Sequence, residues 1–226
     1  MPTTTPARLV AATCLVATAL LSTVSVLLQP EFTADPAGRL AAMHDSGTTG
    51  TISLLTFVMA QLPFLVAVVA IALLGRPGSP RLAVAGGVLA TIGGFGHAVF
   101  GGVGLAYLAM SSDVADRANL AEVITRVESG PALAFMASGM LGTVLGLLLL
   151  GTALFRSRAV PRWVPLSLWA FLAMEFGFSN FTEWATPAAG LLYLAAFGWV
   201  AMRLVRGDSA TVQPGHQPAP AESALR

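Results

Sequence analysis

Lysine is missing from this chain: all twelve of its basic residues are arginines. That absence rules out a lysine Schiff base, a retinal-type pigment built on one, and the phosphate-binding lysine of a Walker loop. With the abundance of Ala and Gly, it fits the codon bias of a high-GC bacterial genome. Cysteine occurs once, at Cys14, so there is no intrachain disulfide and no thiolate metal cluster. Ala11-Ala12-Thr13-Cys14 does not read as a lipoprotein signal, because Thr13 stands where a small residue is expected and a long apolar run follows. Cys14 reads as a small hydrophobe. Charge is scarce as well: 10% of residues are charged, against roughly a quarter in soluble domains. A net charge of +1 gives no reason to expect a nucleic-acid partner.

What fills the 226 residues is apolar. Hydrophobic types make up 55% of the chain, and the mean hydropathy is +0.76. The fold class expected is an all-α polytopic membrane protein, a bundle of six transmembrane helices with short amphipathic helices in the outer loops. The apolar runs place the spans at about 9–28, 51–74, 82–110, 132–155, 163–181 and 188–205. Together they form one transmembrane domain over 1–206, followed by a Pro/Ala/Ser-rich tail over 207–226 whose composition predicts disorder. The first run is long and ends in Gln29-Pro30-Glu31 with no small-x-small cleavage site, so it reads as a retained helix rather than a signal peptide. Asp35-Pro36 starts a helical turn that Gly47 ends. Between residues 111 and 130, Leu120, Val123, Ile124 and Val127 share one face, and Asp113/Arg117 and Glu122/Arg126 are spaced as acid-first pairs. This is the pattern of an amphipathic helix at the interface or capping the bundle.

The third run is sorted by size. Every fourth residue is small from Gly86 through Ala90, Gly94, Ala98 and Gly102 to Ala106, and every seventh from Gly87 through Gly94 to Gly101. Val88, Ile92, Phe95 and Val99 take the other half of the helix, and Gly96 falls opposite Gly94. The fourth run repeats the device with Gly139, Gly142 and Gly146. Small faces let membrane helices approach backbone to backbone, so these two are expected to pair, with the third at the centre of the bundle.

Arginines set the expected orientation. Arg8, Arg76, Arg81, Arg156, Arg158, Arg162, Arg203 and Arg206 fall on one side of the six-span scheme, and Arg39, Arg117 and Arg126 on the other. The positive-inside rule then predicts a bacterial plasma-membrane protein with both termini cytoplasmic. Tyr107, Trp163 and Trp184 fall near predicted interfaces, as belt aromatics do. Residues 59–97 and 136–178 share an order of inward helix, Arg-Pro turn and outward helix, a faint sign of an internal repeat. The order of spans, with the run Leu154-Phe155-Arg156-Ser157-Arg158-Ala159-Val160-Pro161-Arg162-Trp163, resembles a family of uncharacterised six-helix bacterial integral membrane proteins. The resemblance implies the architecture and carries over no site residues.

Few polar groups lie at membrane depth. His97, Glu175, Ser179 and Gln61 are the candidates, because an ionisable residue in a span is costly. His97 flanks the small-residue face and should point inward. Glu175, with Ser179 one turn on, lies at a comparable height. They are expected either to meet, as a proton relay or the polar end of a ligand pocket, or to be satisfied core groups. Gln61 beside Pro63 reads as a kink with a hydrogen-bonding partner. A zinc site needs three or four ligands, which are not there, and a bis-histidine haem needs a second intramembrane histidine. No GxSxG, HExxH or nucleotide-binding motif occurs, so no catalytic residue, metal or cofactor is assigned. Two functions remain open. One is a protein that binds or transports a small or lipophilic ligand. The other is a structural or regulatory subunit that works through a membrane protein partner. In both the lipid bilayer is the surroundings.

Overall fold

A computed structural model describes residues 5–30, 35–178 and 184–207. The chain is an all-α multi-pass bundle, and among the described residues there is no strand. The elements are α1 (Thr5–Leu27), α2 (Pro36–Gly75), α3 (Pro80–Met110), α4 (Arg117–Ser129), α5 (Ala132–Ser157), α6 (Trp163–Ala173), which runs on into a π turn (Met174–Phe178), and α7 (Ala185–Arg206). Ser179 and the tail from residue 208 lie outside the described residues.

Five of these helices, α1, α2, α3, α5 and α7, are long and apolar enough to cross a bilayer. The stretch Trp163–Phe178 is apolar but shorter. At about 1.5 Å per residue it reaches roughly 24 Å, against a hydrocarbon core of about 30 Å. The expected span of 163–181 therefore ends early as α-helix, in the wider π turn that carries Glu175. This also separates the two hairpins of the suspected repeat: α3 is 31 residues long and α6 is 11.

The expected helical turn at Asp35-Pro36 and the second span form one 40-residue element. Asp35 caps it, accepting the Gly38 N–H at 2.7 Å, and Pro36 sits in the first turn, where its missing N–H is not needed. At Gly47 the backbone leaves helical geometry (φ 52°, ψ −121°). Positive φ suits glycine, and the bend swings residues 36–46 away from the line of the span.

α1 packs on α2 and α7; α2 also meets α3, α4 and α5; α5 also meets α3 and α6; α6 meets α7. The helices thus close a ring in the order α1, α2, α3, α5, α6, α7, divided by the α2–α5 contact. The bulky core fills the larger part of the ring. α7 contributes Tyr193, Phe197, Val200 and Leu204 at steps of four, three and four, the spacing of a single helical face. α2 contributes Phe64, Ala67, Val68, Ala70, Ile71 and Leu74, whereas α3 contributes Ala90 alone. The central place expected for α3 is therefore taken by α2 and α5, whose mutual contact divides the ring. One flank of α3 has no helix against it, and Val84, Val88 and Ile92 are exposed there.

Candidate functional site

The two small-residue rows of α3 serve different neighbours. An ideal Cβ on Gly86 would sit 2.9 Å from the Leu150 backbone nitrogen. One on Gly93 would strike the Thr143 backbone, and one on Gly96 would lie 2.5 Å from Gly139 N and Phe135 O. From the α5 side, Gly142 and Gly146 approach the backbones of Gly93 and Ala90. This is a backbone-to-backbone seam of the kind small residues permit. The seven-step row faces α2 instead: Gly87 meets Ala72, Gly94 meets Phe64 and Leu65, and Gly101 meets Val58 and Phe57. Gly96 thus lies in the seam rather than on a tolerant opposite face, because α3 is clasped on two sides. The four-step row does not hold together. Four residues overshoot a full turn by about 40°, so between Gly86 and Gly102 the row winds about 160° around the helix. Ala98 is half-buried, and Gly102 is exposed with nothing within 4 Å of an added Cβ, which removes it from the packing set.

His97 ends the seam. Its Nδ1 lies 3.3 Å from Thr143 Oγ1, and its ring stands edge-on to Phe57 with centroids 5.6 Å apart. Gly139 leaves room for the ring, since a Cβ there would sit 2.9 Å from His97 Cδ2. Thr143 and Phe57 are the partners that sequence reasoning missed, and Gly139 was the available clue. Glu175 is not brought to His97. It is half-buried in the π turn, which packs on α6 and α7, while α3 packs on α2, α5 and α4. The equal-height argument fails because α5 stands between the two helices in the ring. Gln61 is buried, and its Nε2 donates to the Phe57 carbonyl of its own helix at 2.8 Å. It is a satisfied structural group, four residues from its acceptor.

The chemistry gathers elsewhere, at the α4 end. A cavity of about 240 Å³ lies between the end of α1 (Ser25, Gln29, Pro30), both sides of the α2 bend (Arg39, Leu40, Met43; Gly50, Ser53, Leu54, Phe57), α3 (Phe100, Gly101, Gly104, Tyr107, Leu108) and Ile124 of α4. Three glycines, Gly50, Gly101 and Gly104, are among the lining residues, and the bend at Gly47 directs the α2 arm across the cavity. Leu40, Tyr107 and Ile124 form a small second core there, supported by half-buried Met43, Val103, Met110, Leu120 and Val127. The predicted amphipathic face of α4 therefore packs at this end, except for Val123, which is exposed. The Glu122–Arg126 pair is formed at 2.6 Å on the exposed side. The Asp113–Arg117 pair is not: Asp113 precedes the helix, where its Oδ1 accepts the Asp116 N–H.

Two polar features distinguish the cavity. Arg39 makes a two-pronged pair with Glu128, Nη1 to Oε1 at 2.5 Å and Nη2 to Oε2 at 2.7 Å, with both side chains about three-quarters buried. Such forked pairs are geometrically strict, and this one ties the α2 arm to α4. The second feature is Tyr107. It is 6% exposed, and its hydroxyl has no hydrogen-bond partner among the described residues. A buried hydroxyl left unmatched costs about 1–3 kcal/mol. Tyr107 is therefore not the belt aromatic its position suggested, in contrast to Trp184, which is 80% exposed. Of the other donors in the lining, Ser53 Oγ donates to the Ser25 carbonyl at 2.7 Å, while Arg39 Nε, like the Tyr107 hydroxyl, is buried with no partner among the described residues. Deeper in, Phe64 and Leu65 sit against Gly94, and α2 and α3 are in contact. Among the described residues, no three His, Cys, Asp or Glu side chains cluster as metal ligands would.

Compared with protein-family models, with curated proteins and with solved structures, the chain matches none.

Proposed function

We propose that the protein binds a small, largely apolar molecule in the cavity at its α4 end. The observation that carries this reading is a mostly hydrocarbon-lined space of about 240 Å³ with a few polar side chains, Ser25, Gln29, Arg39 and Ser53, among its lining. Ligand sites commonly combine an apolar wall with a few converging polar groups. The size suits a single ring: a cavity of about 150 Å³ holds benzene. The contact of α2 with α3 at Gly94 favours binding over conduction through the bundle.

The setting we propose is a bacterial plasma membrane crossed six times, as in the family that residues 154–163 resemble. Both termini are cytoplasmic and the α4 end faces outward. The arginine asymmetry supports that orientation. In a Cys14→Ser background, Arg117→Cys should react with a membrane-impermeant thiol reagent on intact cells and Arg158→Cys should not; the reverse pattern inverts the topology.

Binding is tested with purified protein in nanodiscs. Toluene should raise the thermal midpoint by roughly a few degrees at saturation, as any ligand selective for the folded state does. Leu54→Phe, which adds bulk at the cavity wall, should remove the shift. No shift in the wild type, or an undiminished shift in Leu54→Phe, would rule out this cavity as the site.

A further inference from the structure

The flank of α3 that no helix covers carries a site of its own, at the opposite end of α2 and α3 from the cavity. We propose that the groove between these helices binds an anionic phospholipid, with an acyl chain along the groove and the phosphate held by Arg76 and Arg81.

The groove is open and has a volume of about 350 Å³. Its lining runs from Val69 to Arg76 on α2 and from Ala83 to Ile92 on α3, a length of roughly 10–14 Å at the helical rise. Its shape follows from residue size. Ala83 is buried, Ala72 and Gly87 are half-buried, and a Cβ on Gly87 would stand 3.2 Å from the Ala72 Cβ. Val69, Val84 and Val88 are exposed at the rims. The helices are close at the bottom and bulky at the edges, a trough that gives a hydrocarbon chain contact on both sides. Thr91 makes no polar demand on the occupant, because its hydroxyl donates to the Gly87 carbonyl at 2.8 Å.

Charge decides which lipid. Arg76 lines the groove seven residues after Val69, and Arg81 precedes Val88 by seven. Seven residues make nearly two turns, so both arginines fall on the groove side of their helices. Both are exposed, and among the described residues neither has an ion pair. The described acids lie on the α2 arm, between α3 and α4, on α4, and in the π turn, which packs on α6 and α7. Arginines at the end of an apolar groove between membrane helices suit a phosphate tied to hydrocarbon. A zwitterionic lipid would bring its own ammonium to them; an anionic lipid would not. A second copy of the chain fits less well, since a two-fold dimer along the membrane normal would set like arginines at one height.

The full chain is tested in nanodiscs that hold phosphatidylglycerol and phosphatidylcholine of identical chains in equal amounts, with retained lipid read by native mass spectrometry. The wild type should keep phosphatidylglycerol in preference. Arg76→Gln and Arg81→Gln should each cut that preference about fivefold. Arg158→Gln, on the neighbouring basic turn, should leave it in place. Val88→Trp, which adds bulk at the trough and spares both arginines, should lower retention of the lipid itself. Equal retention of the two lipids overturns the proposal, as does unchanged retention in Val88→Trp. A preference that Arg158→Gln weakens as much as Arg76→Gln overturns it in favour of a diffuse basic face. A lipid-free dimer that Val88→Trp breaks overturns it in favour of a second copy.

Discussion

The two halves of α3 use glycine for opposite ends. In the N-terminal half, Gly86, Gly93 and Gly96 let the α5 backbone come so close that an added Cβ meets main-chain atoms. In the C-terminal half, Gly101 and Gly104 face the tips of Val58, Phe57 and Leu54 and line a cavity. The same residue meets main chain at one end of the bundle and side-chain tips at the other. What differs is the partner. α5 answers with its own small residues, Gly139, Gly142 and Gly146, whereas α2 answers with Phe57 and Leu54, which hold the helices apart. A small residue facing another small one brings the two backbones together; facing a bulky one, as Gly94 faces Phe64 and Leu65, it seats the side chain and leaves the backbones further apart.

Substitutions test the contrast directly. The largest effect should come from Gly93→Leu, where backbone cannot yield. Overpacking costs about 1–3 kcal/mol and at times more, and this site belongs at the upper end or beyond, read as loss of thermal stability in detergent. If Gly93→Leu costs no more than Gly102→Leu, the seam is wrongly drawn. Next comes Glu128→Gln, which removes one side of the partly buried forked pair and should cost about 1–3 kcal/mol. Hydrogen exchange should show α4 and residues 36–46 loosening together while α5 and α7 stay protected; uniform loosening would mean that the pair does not act as a local tie. Gly101→Ala should be milder still, under about 1 kcal/mol. Its Cβ meets the Val58 Cγ2 and Phe57 Cδ1 atoms, and Phe57 can shift into the cavity it lines, so the toluene shift should shrink more than the stability does. At the bottom of the scale, Gly102→Leu should leave the melting temperature in place, since nothing lies within reach of its Cβ.

Much of the bundle was legible because membrane helices are written in local runs. Apolar length marked the long spans, the small-residue faces marked the pairing of α3 with α5, and Gly47 marked a break. The cavity was not legible, for a physical reason. Arg39 and Glu128 are 89 residues apart, so no helical spacing connects them. Tyr107 sits where a belt aromatic would, and whether it faces lipid or interior depends on where the α2 arm swings after Gly47. The pairing of His97 with Glu175 failed on the same ground. Height along a helix can be counted from the sequence, but neighbours around the ring cannot. The four-step row misled for a simpler reason, since it looks straight in print while it winds around a helix.

The seam also sets a clock. His97 must wait for Thr143, 46 residues further along the chain. At about 5–20 residues per second of synthesis, the imidazole and the glycine groove beside it stand against lipid for roughly 2–9 s before α5 arrives. In that interval α3 has only α2 to lean on, through Gly87, Gly94 and Gly101. The unfinished chain therefore carries a polar group and an unfilled groove, features that membrane quality control can read. A ribosome-stalled chain ending at Ser129 should crosslink from Gly93→Cys to lipid or to insertion factors, and one extended past α5 should crosslink to its own fifth helix. Slow synthesis between α3 and α5 would lengthen that exposure, with no change in the finished protein.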